Sequence, residues 1–406
     1  MATIKPFRAL RPKPELAKQV ASKPYDVLNS QEAKKEAAGN HYSFLRITKP
    51  EIDLPEGIDV YSQAVYAKAK QNLEQFMLNG VLFQEENPCY YIYRLVMNGQ
   101  SQTGLVCLSS VDDYFNDVIR KHELTRPEKE LDRIRHMKTI GAQTGNVFLA
   151  CRDVEEINSL IRNWKNDHGP VYDFDAGDGI QHTIWIINEK EAISRLSGLF
   201  QSKLAHSYIA DGHHRAASAA KVSAELPGNE EAKFFLTTIF PASELKILDY
   251  NRVVKDLNGL TPAEFLKNLG TDFIIEKTGH AFAPQQVHQF GMYLAGAWYK
   301  LLAKEGSYSP DPVGVLDVSI LSNNILDSIL GIKDQRTDKR IDFVGGIRGL
   351  EELEKRVNSG EMKLAFSLYP VSIQQLFEIA DHGKIMPPKS TWFEPKLRDG
   401  LLTHLL

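Results

Sequence analysis

Residues 100 to 240 alternate short apolar runs with longer amphipathic stretches, and this alternation constrains the fold more than any other feature of the sequence. The apolar runs, such as "NVFLAC" and "HTIWIIN", have the length and the β-branched or aromatic content of strands. The stretches between them, such as "DVEEINSLIRNWKND", repeat apolar residues with the period of a helix. The pattern therefore predicts an α/β or α+β fold.

The organisation differs on either side of this region. The dipeptide Asn98-Gly99 separates two β-rich runs and favours a tight hairpin turn, and a second hairpin is predicted at Ala295-Gly296. After Phe240 the pattern changes to helices, that hairpin and a glycine-rich turn. We predict three segments, an N-terminal α+β segment, a core, and a C-terminal α+β region that contributes to the site: 1–110, 111–245 and 246–406.

Composition argues against several classes of function. Hydrophobic residues make up 43% and charged residues 25% of the 406 positions, so the chain can bury a large core without disulfides or structural metals. The three cysteines have the spacing of neither a disulfide framework nor a zinc knuckle. A formal net charge of −4 without a basic arm weighs against nucleic acid as a partner. Because the sequence lacks a signal peptide and any apolar run of about 18 residues, we expect a cytoplasmic protein that does not bind membranes.

The stretch "SYIADGHHRAASAA" concentrates charge at one strand-to-helix junction. Asp211 and Gly212 follow an apolar run and begin a tight turn, and the alanine-rich sequence from Arg215 onward forms helix readily. The first N–H groups of a helix have no acceptor within it and, together with the helix dipole, attract anions. His213, His214 and Arg215 add donors at the same point, and the planar guanidinium suits phosphate. These residues predict a phosphate site.

Asp211 has three interpretations. Its carboxylate caps the helix, a role that stabilises by about 1 kcal/mol, or holds Mg²⁺, or accepts a proton. Zinc is disfavoured because the two histidines are adjacent rather than four residues apart. A solvent-exposed cluster without a function is the remaining alternative, although adjacent histidines at a helix start are poor core residues.

A second constellation, "RKHELTRPEKELDR", places an acid among basic residues. Glu123 is a candidate general base, and His122 and Arg126 are candidate ligands of a substrate or phosphate. The alternative is a charged, solvated helix face with i,i+4 pairs.

Two further motifs lie near the C-terminus. The glycine turn "DFVGGIRGLEELEK" lacks the spacing of either common nucleotide-binding loop, so a tight turn into a helix is the simpler interpretation, although Arg348 is a candidate phosphate ligand. In "MPPKSTWFEPKL", two prolines stiffen the backbone before Lys389, Ser390 and Thr391, which are further candidate ligands. A structured tail packed by the aromatic residues that follow is the alternative.

The motif "IADGHHR" resembles that of the free serine kinase branch of the ParB/sulfiredoxin-like fold. That branch also has an earlier Pro-His-Glu-type segment, and "KHE" at 121–123 resembles it, with Lys121 where a proline often stands. Over its whole length the chain is similar to a widespread prokaryotic family, built on a domain of unknown function, through "KPYDVL", "RKHELT", "RIDFVGG" and "MPPKSTWFEPKL".

The resemblance implies a ParB/sulfiredoxin-like core with α+β extensions, and phosphoryl transfer from ATP, ADP or pyrophosphate, with Mg²⁺, to free L-serine. In that mechanism Asp211 holds the metal or the acceptor hydroxyl, His213 and His214 hold the transferring group, and Glu123 accepts the hydroxyl proton. Arg348 and Lys389 to Thr391 close the site from the C-terminal region. Asp26 and Tyr25 of "KPYDVL" are weaker candidates, on the family motif alone.

Two alternative functions use the same features. A ParB-like protein that binds nucleotide and DNA would need a helix-turn-helix and a basic surface, and the sequence offers neither convincingly. A phosphatase acting on a small phosphorylated metabolite would use the same site in the opposite direction. The hairpin at 290–303 is either a free sheet edge or the interface of a homodimer.

Overall fold

The computed structural model describes residues 1–406, and they form two compact units. Unit 1 contains Met1–Lys121, Thr125–Leu245 and Pro395–Leu406, and unit 2 contains His122–Leu124 and Lys246–Glu394. Unit 1 therefore includes the predicted segment 1–110, the predicted segment 111–245 except residues 122–124, and the end of the predicted segment 246–406.

Unit 1 is built on a nine-stranded mixed sheet. The strands of this unit up to residue 241 are β1 (Ile4–Lys5), β2 (Leu10–Pro12), β3 (Leu82–Gln84), β4 (Tyr90–Met97), β5 (Gln100–Ser110), β6 (Ile119–Arg120), β7 (Ala142–Gln143), β8 (Val147–Cys151), β9 (Tyr172–Asp175), β10 (Ile180–Ile187), β11 (Ser207–Asp211) and β12 (Phe234–Pro241). The sheet order is β6-β11-β8-β12-β5-β4-β10-β9, with β1 beside β5, and β2 pairs separately with β3. Two pairs are parallel, β11 with β6 and β12 with β8.

Unit 1 contains nine α-helices. They are α1 (Ala17–Val20), α2 (Ser30–Glu36), α3 (Leu45–Thr48), α4 (Gln63–Leu78), α5 (Val111–Phe115), α6 (Pro127–Ile140), α7 (Glu155–Asp167), α8 (Lys190–Lys203) and α9 (His213–Glu225). Helix α9 buries Ala216, Ala219 and Ala220 in the same core as Leu149 and Ile209 of the sheet. Small side chains allow the helix backbone to lie close to the strands, which explains the alanine-rich sequence.

Unit 2 contains a six-stranded antiparallel sheet with the order β15-β17-β16-β19-β14-β18, and a separate pair, β13 with β20. Its strands are β13 (Ile247–Leu248), β14 (Tyr250–Val254), β15 (Phe273–Thr278), β16 (Gln289–Leu294), β17 (Ala297–Ala303), β18 (Ile341–Gly345), β19 (Leu364–Leu368) and β20 (Trp392–Phe393). Its helices are α10 (Pro262–Leu269), α11 (Asp317–Leu321), α12 (Gly349–Asn358) and α13 (Ile373–Asp381), and a π-helical turn (Ser322–Asp327) follows α11. The last strand of the chain, β21 (His404–Leu405), lies in unit 1 and pairs with β7.

The α+β class predicted from the sequence is confirmed. Both predicted hairpins form, and their turn residues Asn98, Gly99, Ala295 and Gly296 all have positive φ, as the two-residue turn requires. The three cysteines are buried as free thiols. Among the helices, none combines the length and the apolar composition that a membrane crossing requires.

Candidate functional site

The junction between β11 and α9 has the predicted form of a strand, a tight turn and a helix. Strand β11 ends at Asp211, Gly212 has φ 93°, and α9 begins at His213. A Cβ atom on residue 212 would lie 3.0 Å from Nε of Arg215, and a left-handed φ is itself unfavourable for other residues. The turn therefore depends on glycine for both its conformation and its space.

Helix α9 begins without a side-chain cap, because its N-cap residue is Gly212. The N–H groups of its first turn therefore have no acceptor within the helix, and the dipole places partial positive charge there. The Gly212 N–H donates to Oδ1 of Asp211 at 3.0 Å. Asp211 thus binds the amide next to it rather than an amide of the first helical turn, and the capping interpretation of Asp211 is not realised.

The carboxylate of Asp211 lies between two cations. Its Oδ2 is 3.1 Å from Nζ of Lys396 and 3.6 Å from Nη2 of Arg215. No three His, Cys, Asp or Glu side chains are grouped so that they could hold a metal ion. Asp211 therefore already has two cationic partners, and whether its carboxylate also holds Mg²⁺ stays a prediction.

The two histidines that follow have different environments. His213 is only 6% exposed, which differs from the expectation that adjacent histidines avoid the core. His214 is half-buried, and its Nε2 accepts the backbone N–H of Arg126 at 2.9 Å. That nitrogen therefore carries no proton in this arrangement. The bond connects the start of α6 with the start of α9, although the Arg126 side chain itself is exposed.

Arg215 points inward and is 9% exposed. Its guanidinium donates to the carbonyl oxygen of Asn146, and its Nη2 lies 3.9 Å from Oδ2 of Asp26. Burial alone would lower the pKa of Arg215, but the carboxylates around it, Asp26 first and Asp211 next, outweigh burial and raise that pKa. Its Nε has no hydrogen-bond partner.

A third carboxylate, Asp399, reaches the same arginine from the C-terminal segment. A Cβ atom added to Gly145 would lie 3.2 Å from Cδ of Arg215 and 3.3 Å from Oδ1 of Asp399. Both side chains therefore lie close to Gly145, in the loop before β8. Burial raises the pKa of Asp399 to about 7, and the opposite charge of Arg215 offsets this only in part.

The free energy of unfolding is expected to depend on pH through Asp399. Because its pKa is raised in the folded protein, the folded state binds this proton more tightly than the unfolded chain does. Its stabilising contribution is therefore present below a pH of about 4 and is lost as the pH rises towards about 7. We expect Asp399→Asn to be progressively stabilised relative to wild type across this interval, as measured by urea denaturation at several pH values. A difference between the two proteins that stays constant with pH would contradict the assignment.

Tyr25 and Arg133 extend the cluster on its other side. The Arg133 guanidinium lies 3.9 Å from the centre of the Tyr25 ring and donates to Oδ2 of Asp132 at 2.9 and 2.7 Å. Burial raises the pKa of Tyr25, so its hydroxyl stays protonated. A cavity of about 30 Å³, lined by Tyr25, Arg133, Gly145 and Arg215 among others, lies within the cluster and has room for water.

Arg398 anchors the C-terminal segment that carries Lys396 and Asp399. Its Nη2 donates to Asp178, and its Nε lies 3.4 Å from Nε2 of His182. The other ring nitrogen of His182 lies 2.7 Å from the Tyr93 hydroxyl. Burial lowers the pKa of His182 to about 3, so the ring is neutral and Nε2 can accept from the guanidinium. This buried network holds the segment in place.

The remaining predicted residues lie in unit 2. His122 is buried, which lowers the pKa of its ring to about 4, and its carbonyl accepts the N–H of Met386 at 2.9 Å. Glu123 is half-buried, and Arg348 is exposed in the glycine turn before α12.

The three residues after the two prolines, 389–391, also lie in unit 2. Lys389 is exposed with φ 58°, Ser390 is buried and donates to the Pro387 carbonyl at 2.6 Å, and Thr391 is half-buried. The binding of phosphate or substrate stays a prediction for His122, Arg348 and residues 389–391. The role of Glu123 as a base also stays a prediction.

Sequence reasoning missed several members of the cluster in unit 1. Lys396 lies within the motif "MPPKSTWFEPKL" but has no predicted role, and Asp399 is the second residue after this motif. Arg133 lies in the charged stretch after Glu123 and has no predicted role. Asn146 cannot be recognised from the sequence, because it contributes through its backbone carbonyl. Asp26 was proposed only from its family motif, and the structure places it beside Arg215.

Residues 4–319 match a family model described as protein of unknown function (DUF1015). A search among curated proteins finds no match. Among solved structures, the chain is similar to a free serine kinase in complex with AMP, with 14% identity, 73% of this chain and 91% of that chain covered, and a TM-score of 0.38.

Two other solved structures are similar to a comparable extent. A conserved hypothetical protein from Pyrococcus furiosus has 14% identity, covers 76% of this chain and 97% of its own, and has a TM-score of 0.38. SbnI from Staphylococcus aureus, with a C-terminal truncation, has 10% identity, covers 72% and 85% respectively, and has a TM-score of 0.39.

Proposed function

The chain belongs to the DUF1015 family of proteins of unknown function, and we propose that this member is a phosphotransferase that phosphorylates the hydroxyl of free L-serine. The phosphoryl donor is a nucleotide or pyrophosphate, and its phosphates bind at the start of α9. The observation that carries this proposal is the combination of an uncapped helix start with an ammonium group beside it. Lys396 places its Nζ 3.1 Å from Asp211, immediately before the turn.

The electrostatics of the junction favour a polyanion. The first-turn amides of α9 and the helix dipole attract negative charge, and Gly212 has no side chain to obstruct the approach of a phosphate. Lys396 is 18% exposed in its side chain, so its ammonium can reach both Asp211 and a bound phosphate. Phosphoryl transfer depends mainly on such positioning and charge neutralisation, because the protein makes no covalent bond itself.

In the proposed reaction the serine oxygen attacks the terminal phosphorus, the new O–P bond forms, and the bond to the leaving phosphate breaks. The hydroxyl proton passes to Glu123, the residue that the resemblance to serine kinases designates as base. His213 and His214 orient the transferring phosphoryl group, and Asp211 orients Lys396 and the acceptor hydroxyl. Mg²⁺ bound to the donor phosphates would neutralise part of their charge, with Asp211 as its candidate ligand on the chain.

The proposal is tested by a direct assay. Purified protein is incubated with Mg²⁺, serine and, separately, ATP, ADP or pyrophosphate, and phosphoserine is measured by mass spectrometry. Homoserine, threonine and a reaction without acceptor are the controls for specificity. Formation of phosphoserine with at least one donor is the expected result, and its absence with every donor would reject the proposal. Hydrolysis of added phosphoserine without any transfer would favour a phosphatase.

Two variants test the assigned roles in the same assay. Glu123→Gln removes the base without changing the size of the side chain, and His213→Ala removes one of the groups that orient the phosphoryl group. Both are expected to lose activity while retaining the circular dichroism spectrum of the wild type. Full activity in both would remove these roles even if the reaction itself is correct.

A further inference from the structure

Strand β14 of unit 2 carries a fully buried arginine without an anionic partner. Arg252 is 0% exposed, and its guanidinium donates only to backbone carbonyls, those of Tyr250 and, at 3.1 Å, Pro388. Its Nε has no hydrogen-bond partner, and no carboxylate forms an ion pair with it. Burial lowers the pKa of Arg252 to about 10. Burying a charge is costly unless a counter-charge accompanies it, and the chain itself supplies none here.

A second cation lies against the same aromatic side chain. The Arg252 guanidinium and the Lys389 ammonium are each 5.7 Å from the centre of the Tyr250 ring. Lys389 also has no carboxylate partner, and its side chain is exposed. Two unpaired cations at one tyrosine therefore distinguish this part of unit 2 from its surface, where arginines such as Arg336 and Arg340 form ion pairs.

The Pro388 carbonyl is one of the two acceptors that the guanidinium of Arg252 has. The segment around Pro388 contributes one hydrogen bond to the guanidinium, through its carbonyl. The next residue, Lys389, has φ 58°, a left-handed conformation that residues other than glycine rarely adopt. An anion that replaced the Pro388 carbonyl would gain the guanidinium as a partner.

We propose that Arg252 and Lys389 form a phosphate-binding site in unit 2, and that a phosphate group takes the place of the Pro388 carbonyl. The planar guanidinium, with its unused Nε, can donate two parallel bonds to one phosphate. A phosphate monoester carries a charge of about −1.5 to −2 near neutral pH, which matches two cations better than a carboxylate does. This site does not depend on the function proposed for the start of α9.

The test measures thermal unfolding of the full chain in inorganic phosphate and in sodium chloride of the same ionic strength. Wild type is expected to unfold at a higher temperature in phosphate, by about 2 °C or more. Arg252→Met is expected to lose most of this increase and, in chloride, to unfold at or above the temperature of the wild type, because a buried charge has become an apolar side chain of similar length. Arg336→Met, at an exposed paired arginine, should behave as wild type.

Two results would overturn the proposal. One is an equal phosphate-induced increase in wild type and Arg252→Met, which would place the phosphate elsewhere, including at α9. The other is no increase in the wild type. If Arg252→Met does not fold, Lys389→Met decides the question, since this exposed side chain can be replaced without affecting the core. It should lose about half or more of the phosphate-induced increase, and an unchanged increase would reject the site.

Discussion

Replacing Lys396 with methionine is expected to lower the rate constant kcat for phosphoserine formation by about 100- to 1,000-fold. The ammonium lies 3.1 Å from Asp211 at the start of α9, where the proposed reaction accumulates negative charge on the transferring phosphoryl group. A fixed positive charge stabilises this transition state more than the ground state, so its loss should appear mainly in kcat rather than in KM. Methionine retains the aliphatic part of the side chain, so packing should be preserved.

Two matched variants separate this role from a structural one. Lys396→Arg keeps the charge and should retain a substantial part of the activity. Lys138→Met removes an exposed lysine of unit 1 that pairs with Glu225, and it should have no effect. If Lys396→Met retains activity within a few-fold of wild type while phosphoserine is still formed, the ammonium is only an ion-pair partner of Asp211. In that case the proposed transferase activity would stand, but the assigned role of Lys396 would not.

Replacing Arg215 with methionine is expected to destabilise the protein by about 3 to 5 kcal/mol. This buried guanidinium lies 3.9 Å from Asp26 and 3.6 Å from Asp211, and Asp399 lies beside its stem. Without it, buried Asp399 and the partly exposed Asp26 and Asp211 lose the cation that they share, and the carbonyl of Asn146 loses its donor. Urea denaturation at about pH 8, where Asp399 is largely ionised, should show the largest loss.

Two further variants serve as controls in the same urea denaturation experiment. Arg162→Met removes an exposed arginine that pairs with Glu155, and it should change the free energy of unfolding by no more than about 0.5 kcal/mol. Adding Asp399→Asn to Arg215→Met should recover part of the lost stability, because one of the repelling charges is removed. A loss below about 1 kcal/mol for Arg215→Met would show that water, rather than this side chain, compensates the carboxylates.

The local parts of the candidate site were predictable from the sequence. The strand, turn and helix around Gly212 follow from an apolar run, a residue that tolerates positive φ, and an alanine-rich helix former. The role of Asp211 was less predictable, because a carboxylate at this position can cap the helix, bind its neighbouring amide or pair with a lysine. Which of these roles Asp211 takes depends on Lys396, which lies 185 residues away in the sequence.

The sequence by itself determined the α+β class, both hairpins and the strand-to-helix junction, because each depends on backbone conformation and apolar periodicity within a few residues. Only the tertiary structure decided that Arg215 turns inward to carboxylates and that the C-terminal segment brings Lys396 and Asp399 to the junction. The physical reason is that such contacts join residues far apart in the chain. They form because an unpaired buried charge is costly, and which partner is within reach depends on how the sheet and helices pack.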